Sequence, residues 1–190
     1  MDYREIFDAL FPGFFKDTGI RSLGTDDVFT ELVLDLKAYT PLRPVACPPG
    51  ILFGEYFGDI GALRAAVGRV DEDWVRYFDV GGRYFTAAED GKIISFCVLD
   101  EMGRFSGLRV GGPGCVGTVP ECRGRGIGLR LVQLATEKLK SEGFDLSWIH
   151  YTHLDKWYAS LGYEAVLQWN GEGIVRVMPV ERTDIRDERG

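Results

Sequence analysis

The chain has 190 residues, 45% of them hydrophobic and 27% charged, which suits one compact domain with its own core and excludes global disorder. No apolar run approaches the ~20 residues that span a bilayer, and the amino end, MDYREIFDALF, places acids where a secretory leader needs a basic start. A net charge of −7 with no basic block argues against a nucleic-acid partner, because phosphate neutralisation supplies most non-specific affinity.

The expectation is therefore a cytoplasmic protein with no membrane partner. Cys47, Cys97, Cys115 and Cys122 match no CxxC pair and no zinc spacing, so reduced, buried thiols are expected and no metal is implied. The chain divides into an extension over 1–49, a core over 50–180 and a polar tail, ERTDIRDERG, over 181–190.

In the extension, Thr25-Asp26-Asp27 reads as a helix cap, and Phe29, Leu32, Val33 and Leu36 follow at helical spacing. An amphipathic helix is expected there, although Leu32, Leu34 and Leu36 also fit a strand. The proline-containing stretch from Thr40 to Gly50 reads as a linker. The aromatics of FPGFFKD, residues 11–17, suit either a homodimer contact or packing on the core.

The core begins with a short strand at Ile51 to Tyr56. A helix carrying Ile60, Leu63, Ala66 and Val67 follows, then a second, capped by Asp71, with Trp74, Val75 and Phe78. Arg83 to Ala88 and Lys92 to Leu99 read as strands joined at Asp90-Gly91, a strong hairpin signal. A glycine-rich crossing loop is expected over Met102 to Pro113. After it come a strand at Gly114 to Val119, a helix from Gly126 to Glu142 and a strand at Leu146 to His150. A helix at His153 to Leu161 and two closing strands, near 163–169 and 174–180, complete the core. This order predicts a mixed α+β sheet protein with a central twisted sheet flanked by helices.

The informative stretch is VGTVPECRGRGIGLRLVQLATEKLKSEGF, residues 116–144. A strand passes through glycines 124, 126 and 128 into a helix, so several backbone N–H groups can converge at the positive end of a helix dipole, an arrangement suited to a pyrophosphate. A P-loop is excluded because Leu129-Arg130 follows Gly128, and the dinucleotide fingerprint is excluded because G-x-G-x-G replaces G-x-G-x-x-G.

The run Val116-x-Thr118-x-Pro120-x-x-Arg123-Gly124-x-Gly126-Ile127-Gly128 closely resembles the acetyl-CoA signature of the GNAT N-acetyltransferase family. Trp157-Tyr158-Ala159-Ser160-Leu161-Gly162-Tyr163 resembles that family's second, aromatic element, in the right order downstream. The resemblance covers about 50–180 and implies the GNAT fold. The implied activity is transfer of acetyl from acetyl-CoA to a primary amine, on a small molecule or a peptide, by direct attack in a ternary complex.

On that resemblance, backbone groups of Val116 and Thr118 would meet the pantetheine arm. The amides from Gly124 through Gly126, Ile127, Gly128 and Leu129 would hold the pyrophosphate behind Arg123. Arg125 would add a charge there or remain a solvated loop residue. Gly117 would mark a bulge that opens the sheet, or simply pack. Tyr158 would protonate the departing thiolate, a role weighed against packing on a helix face with Leu154, Trp157 and Leu161.

Two positions depart from the family. Tyr151 replaces an asparagine that contacts pantetheine, and Leu146 replaces a glutamate that serves some members as base. The candidates left for a base are Asp79, Asp100, Glu101 and His150, or a chain of waters. A missing base would suit a non-catalytic acyl-CoA-binding sensor or regulatory module, the alternative to the enzyme.

Overall fold

The computed structural model describes residues 1–40 and 43–179; the polar tail expected over 181–190 lies outside the described residues. Eight strands form one sheet: β1 (Phe29–Asp35), β2 (Leu52–Glu55), β3 (Tyr84–Glu89), β4 (Lys92–Phe105), β5 (Leu108–Thr118), β6 (Leu146–Thr152), β7 (Glu164–Asn170) and β8 (Gly173–Val177). Their order is β2-β3-β4-β5-β6-β1-β7-β8, and only the β5–β6 pair is parallel. The helices are α1 (Tyr3–Leu10), α2 (Thr18–Arg21), α3 (Ile60–Gly68), α4 (Ile127–Ser141) and α5 (Asp155–Ala159).

The helix expected over 29–36 is a strand, and a central one. β1 pairs antiparallel with β6 on one side and β7 on the other. Leu32, Leu34 and Leu36 join the core on the α4 side, while Val33 packs with Ile6, Phe7 and Trp148 on the other. A strand buried on both faces carries apolar residues at both parities, which imitates helical spacing. The middle of the sheet is thus drawn from the stretch expected to be an extension. The helix of that stretch is α1, capped by the Asp2 carboxylate, which accepts from the Arg4 and Glu5 amides at 2.9 and 3.2 Å.

The crossing loop expected over Met102 to Pro113 is a hairpin instead. β4 runs to Phe105, Ser106 and Gly107 turn with φ of +47° and +82°, and β5 starts at Leu108. Positive φ at both turn residues is the hairpin geometry whose twist matches its strands. The glycines that suggested a loop serve a close approach: a β-carbon on Gly112 would collide with the Trp148 carbonyl of β6.

That approach is brief. β5 and β6 pair only at Val110↔Leu146 and Gly111↔Ser147, after which the two strands diverge. β5 is bulged in the same region, because the register against β4 passes from Val98↔Gly114 to Phe96↔Gly117 and sets Cys115 and Val116 opposite Cys97. Cys115 accordingly has φ +46°. A bulge bends its strand and increases twist, so the divergence has a local cause. Gly117 fits both readings: it closes the bulge as the partner of Phe96, and a β-carbon there would strike the Phe96 ring.

Helices cover both faces. α4, α5 and the turn after α5 pack Leu131, Val132, Ala135, Leu139, Tyr158 and Leu161 on one side with Leu34, Cys97, Leu99 and Ile149. On the other side α1 covers Val110, Leu146 and Trp148, while α3 packs Leu63 and Val67 against Tyr84 and Phe96. The FPGFFKD aromatics pack inward: Phe14 meets Trp169 edge-on at 4.8 Å and Phe11 stacks on His150. Among the described residues no helix is long and apolar enough to cross a membrane.

Candidate functional site

The end of β5, a short 3-10 turn at Pro120–Cys122 and the start of α4 enclose one side of an open pocket of about 570 Å³. Val116, Gly117, Thr118, Arg123, Gly124, Gly126, Ile127, Gly128 and Leu129 line it, with Trp74 and Trp157 as aromatic walls and Val70 and Cys122 completing it. The site residues expected from Val116 to Leu129 are therefore brought together, apart from the Arg125 side chain.

The loop has the shape of an anion cradle. Gly124 and Gly126 both have φ +75°, and Gly126 caps α4 with no side-chain hydrogen bond to the first turn. The first amides of a helix have no intrahelical acceptor, and the residues of this first turn, Ile127, Gly128 and Leu129, line the pocket. Gly126 is also crowded by the linker, whose Ala46 carbonyl occupies the place of a β-carbon. The linker is held by Gln133 of α4, which accepts from the Val45 amide at 2.9 Å and donates to the Arg43 carbonyl at 3.2 Å.

The two arginines differ. Arg123 Nε donates to the Thr118 carbonyl at 3.0 Å, tying the loop back to the strand. Arg125 forms a two-pronged pair with Glu89 at 2.5 and 3.0 Å. The hydrogen bond from Arg125 holds the Glu89 carboxyl below its ordinary range, and Glu89 raises the guanidinium in turn. The Arg125 charge is thus paired at the β3–β4 hairpin end, with its side chain 31% exposed and outside the pocket lining.

Tyr158 packs in the core beside the pocket wall residue Trp157. It is 5% exposed and packs edge-on against Trp157 at 4.7 Å. Its hydroxyl makes no hydrogen bond among the described residues, yet no fully sealed polar atom is left unpartnered, so that hydroxyl keeps an opening. Burial raises the phenol well above its usual value, with Tyr163, Cys97 and Cys115 adding to the effect. The group is therefore a proton-bearing donor at neutral pH.

Tyr151 is not among the lining residues. Its φ is +65°, and its ring packs with Phe29 at 4.6 Å, Trp169 at 4.9 Å and Phe14 at 6.4 Å. Its ring thus sits in that aromatic cluster and outside the lining of the pocket.

Of the candidate bases, Asp79 is paired with Arg64 at 2.5 Å and Glu101 with Arg109 at 2.9 Å. Asp100 is solvent-accessible, yet the protein around it is dense enough to raise its carboxyl, against the opposing pull of His150. His150 bonds through Nδ1 to Glu31, a residue that the sequence reading did not single out. One signal was available: Glu31 is a carboxylate inside the largely apolar run FTELVL, and such a group must find partners when buried. The thiols at the bulge are inert, because burial pushes Cys97 up to about 12 and Cys115 to about 11. All four cysteines are free.

The family model for the acetyltransferase (GNAT) domain matches residues 80–165, which contain β3 through α5 and both motifs. A comparison with curated proteins finds no match. Among solved structures, the chain is similar to a GCN5-related glucosamine N-acetyltransferase region of a fungal multi-domain GH3 β-N-acetylglucosaminidase, with a TM-score of 0.60 and 24% identity over 76% of this chain and 20% of that one. It is similar to GCN5-related N-acetyltransferases from Sphaerobacter thermophilus (TM-score 0.56, 21% identity, 74% of this chain, 49% of that one) and Kribbella flavida (0.52, 20%, 74% and 55%). The chain spans about half or less of the length of these three. At such identities the likeness carries the fold, an eight-stranded mixed sheet flanked by helices. The motif, the family-model match and the shared fold together identify residues 80–165 as a GNAT acetyltransferase domain.

Proposed function

We propose that this protein binds acetyl-CoA in the β5–α4 pocket and transfers the acetyl group to a primary amine by direct attack in a ternary complex. The single observation that carries this reading is the coincidence of pocket and motif. The residues from Val116 to Leu129 that resemble the acetyl-CoA signature line one cavity, at a helix start that no side chain caps and on the stretch of β5 beyond its last β6 pair.

The fit is physical as well as sequential. The first amides of α4 supply donors for a pyrophosphate at the positive end of its dipole. Beyond Gly111, β5 has no β6 partner, so Val116 and Thr118 offer backbone groups along the edge where an amide-bearing pantetheine arm would lie. The thioester supplies an activated acetyl group; the protein supplies placement and a proton. Tyr158, neutral and buried with a free hydroxyl, is the donor for the sulfur that leaves. Fixing amine and thioester together supplies most of the acceleration as effective molarity.

Direct transfer is favoured over a covalent relay through the protein. Cys115 is the thiol nearest the bulge, and its pKa near 11 leaves almost no thiolate at neutral pH. Mixing the protein with acetyl-CoA in the absence of an amine should leave its intact mass unchanged. An added acetyl group on Cys115 would replace direct attack by a two-step route. The fungal region is described as a glucosamine N-acetyltransferase; for this chain the acceptor is taken only as far as a primary amine. Release of free CoA thiol, followed with an amine panel that includes glucosamine, polyamines and peptide amino ends, tests the reading. Tight acetyl-CoA binding with no amine-dependent release across the panel would favour the sensor alternative.

A further inference from the structure

A buried polar cluster lies outside the pocket, where β1 meets β6. The β1 ladder slips at Glu31 against both neighbours, between Thr30 and Leu32 towards β6 and between Glu31 and Leu32 towards β7. A bulge re-aims the side chain it carries. Here it delivers a carboxylate that is 0% exposed into a ring of donors. Trp148 Nε1 donates to it at 2.6 Å, Trp169 Nε1 at 2.7 Å and the Tyr151 amide at 3.2 Å, while His150 Nδ1 stands 3.0 Å from both oxygens. Directly after His150 the chain takes the left-handed conformation of Tyr151, which costs a non-glycine residue about 1–2 kcal/mol. Two backbone irregularities in different strands thus converge on one carboxylate–imidazole pair.

A purely structural carboxylate would not require the histidine. Two indoles and an amide already occupy three of its roughly four acceptor sites. Those three partners can only donate, so the carboxylate accepts throughout, and Nδ1 must carry the proton it shares with Glu31. In the neutral ring the lone pair is then on Nε2, which makes no hydrogen bond among the described residues. Phe11 stacks on the ring at 4.0 Å and 11°, and Phe14 stands edge-on at 5.1 Å, so its orientation is fixed while its side chain stays 22% exposed.

His150 also lies in the right part of the sheet. It follows the last β5–β6 pair, where the strands have parted. It shares the α1 face with Trp148, whereas Tyr158 packs on the α4 face.

We propose that His150 is the proton acceptor for the incoming amine and Glu31 its positioning residue, so that the two proton transfers are served from opposite faces of the opened sheet. The inference rests on the acetyl-transfer reading above. The acceptor's ammonium gives one proton to Nε2, and the resulting imidazolium is held against the Glu31 carboxylate. The freed nitrogen lone pair forms the bond to the thioester carbonyl carbon. As the C–S bond breaks, its electron pair leaves on sulfur, which takes a proton from the Tyr158 hydroxyl. The tyrosinate recovers the proton shed by the new amide nitrogen, and His150 releases its own to water. The sum is ammonium plus thioester giving amide, free thiol and one proton.

The test compares two nucleophiles at pH 7.5 in the full chain. n-Butylamine is almost wholly protonated there, as an alkylamine with a pKa of about 10.4 must be, whereas hydroxylamine is already neutral and needs no base. His150→Gln should slow acetyl transfer to butylamine about 100-fold, within the range of a positioned base, and slow transfer to hydroxylamine far less. An equal loss on both, or no loss on butylamine, would overturn the base role. Long-range proton–nitrogen spectra are simple to assign because the chain holds only two histidines. Neutral His150 should carry its proton on Nδ1 and lose that preference in Glu31→Gln; a neutral ring protonated on Nε2 in the unaltered protein would overturn the dyad. This second measurement stands even where Glu31→Gln folds poorly. Failure of the unaltered protein to acetylate either probe, with acetyl-CoA bound, would instead overturn the transferase reading, and the base role with it.

Discussion

The β5–α4 segment and the β1–β6 junction are built on opposite principles. The first is contiguous in sequence: its strand end, glycines and helix start follow one another from Val116 to Leu129, and they line one pocket. The second is assembled across the chain, with Glu31 and His150 separated by 119 positions and joined only once the sheet has formed. A contiguous site can be read from spacing, because backbone conformation is local. A carboxylate and an imidazole brought together by a sheet leave no pattern until the topology is known. The pocket has the shape to hold a ligand; the junction has the fixed polar groups to move a proton.

The sharpest break between the two regions is expected on removing the buried charge. Glu31→Leu would leave two indole N–H groups and an amide without their acceptor, in surroundings closed to water. Breaking a buried, multiply bonded charge costs about 3–5 kcal/mol, so urea unfolding should show a loss of that order, or a chain that does not fold. A loss below about 1 kcal/mol would mean that the carboxylate is not integral to the sheet.

Tyr158→Phe should act in the opposite way, lowering kcat by about 100-fold while acetyl-CoA affinity and stability are retained. Unchanged turnover would reduce Tyr158 to its packing role. Gly126→Ala tests the loop more gently. Placing alanine at φ +75° costs about 1–2 kcal/mol, and the Ala46 carbonyl adds a collision, so acetyl-CoA should bind about tenfold more weakly. Equal affinity would show that the loop relaxes freely.

The smallest effect concerns the charged network away from both regions. Arg83 bonds Glu55 and Glu142 at 2.8 Å each, and Lys138 bonds the same two carboxylates at 2.9 and 3.1 Å. Hydrogen bonds from Arg83 and Lys138 lower the Glu55 carboxyl. They lower Glu142 too, although burial there opposes them. Carboxyls depressed in the folded state add stability above their unfolded values, and that stability is lost as pH falls through the depressed ones. Thermal melts of the unaltered protein and Glu142→Gln should therefore differ slightly at pH 7 and converge as pH falls below about 4. A gap that widens in acid would contradict the pairing.

Much of the fold was legible because its local signals agree with its tertiary structure. Asp71 caps the turn that follows it, Asp90-Gly91 closes β3 onto β4, and the closing strand expected near 163–169 is β7. Legibility failed where burial overrode pattern. β1 is enclosed on both faces, so its apolar residues carry no alternation, and its one informative residue, Glu31, points into a bulge that spacing cannot show. The glycines before the pocket suggested a loop because nothing local reveals that Gly112 lies against the Trp148 carbonyl of another strand. Within the site, the Val116 to Leu129 backbone was readable, whereas the direction of Arg125 towards Glu89 and of Tyr151 towards Phe29 was decided by partners far away in sequence.

The central claim is that the β5–α4 pocket takes acetyl-CoA. Calorimetric titration of the full chain with acetyl-CoA, and separately with free CoA, tests it most directly. The account predicts saturable one-to-one binding of both ligands, weakened by Gly126→Ala and unaffected by Tyr158→Phe. Folded protein that binds neither would mean that the glycine loop is only a tight strand-to-helix turn, and the transferase reading would fall with it.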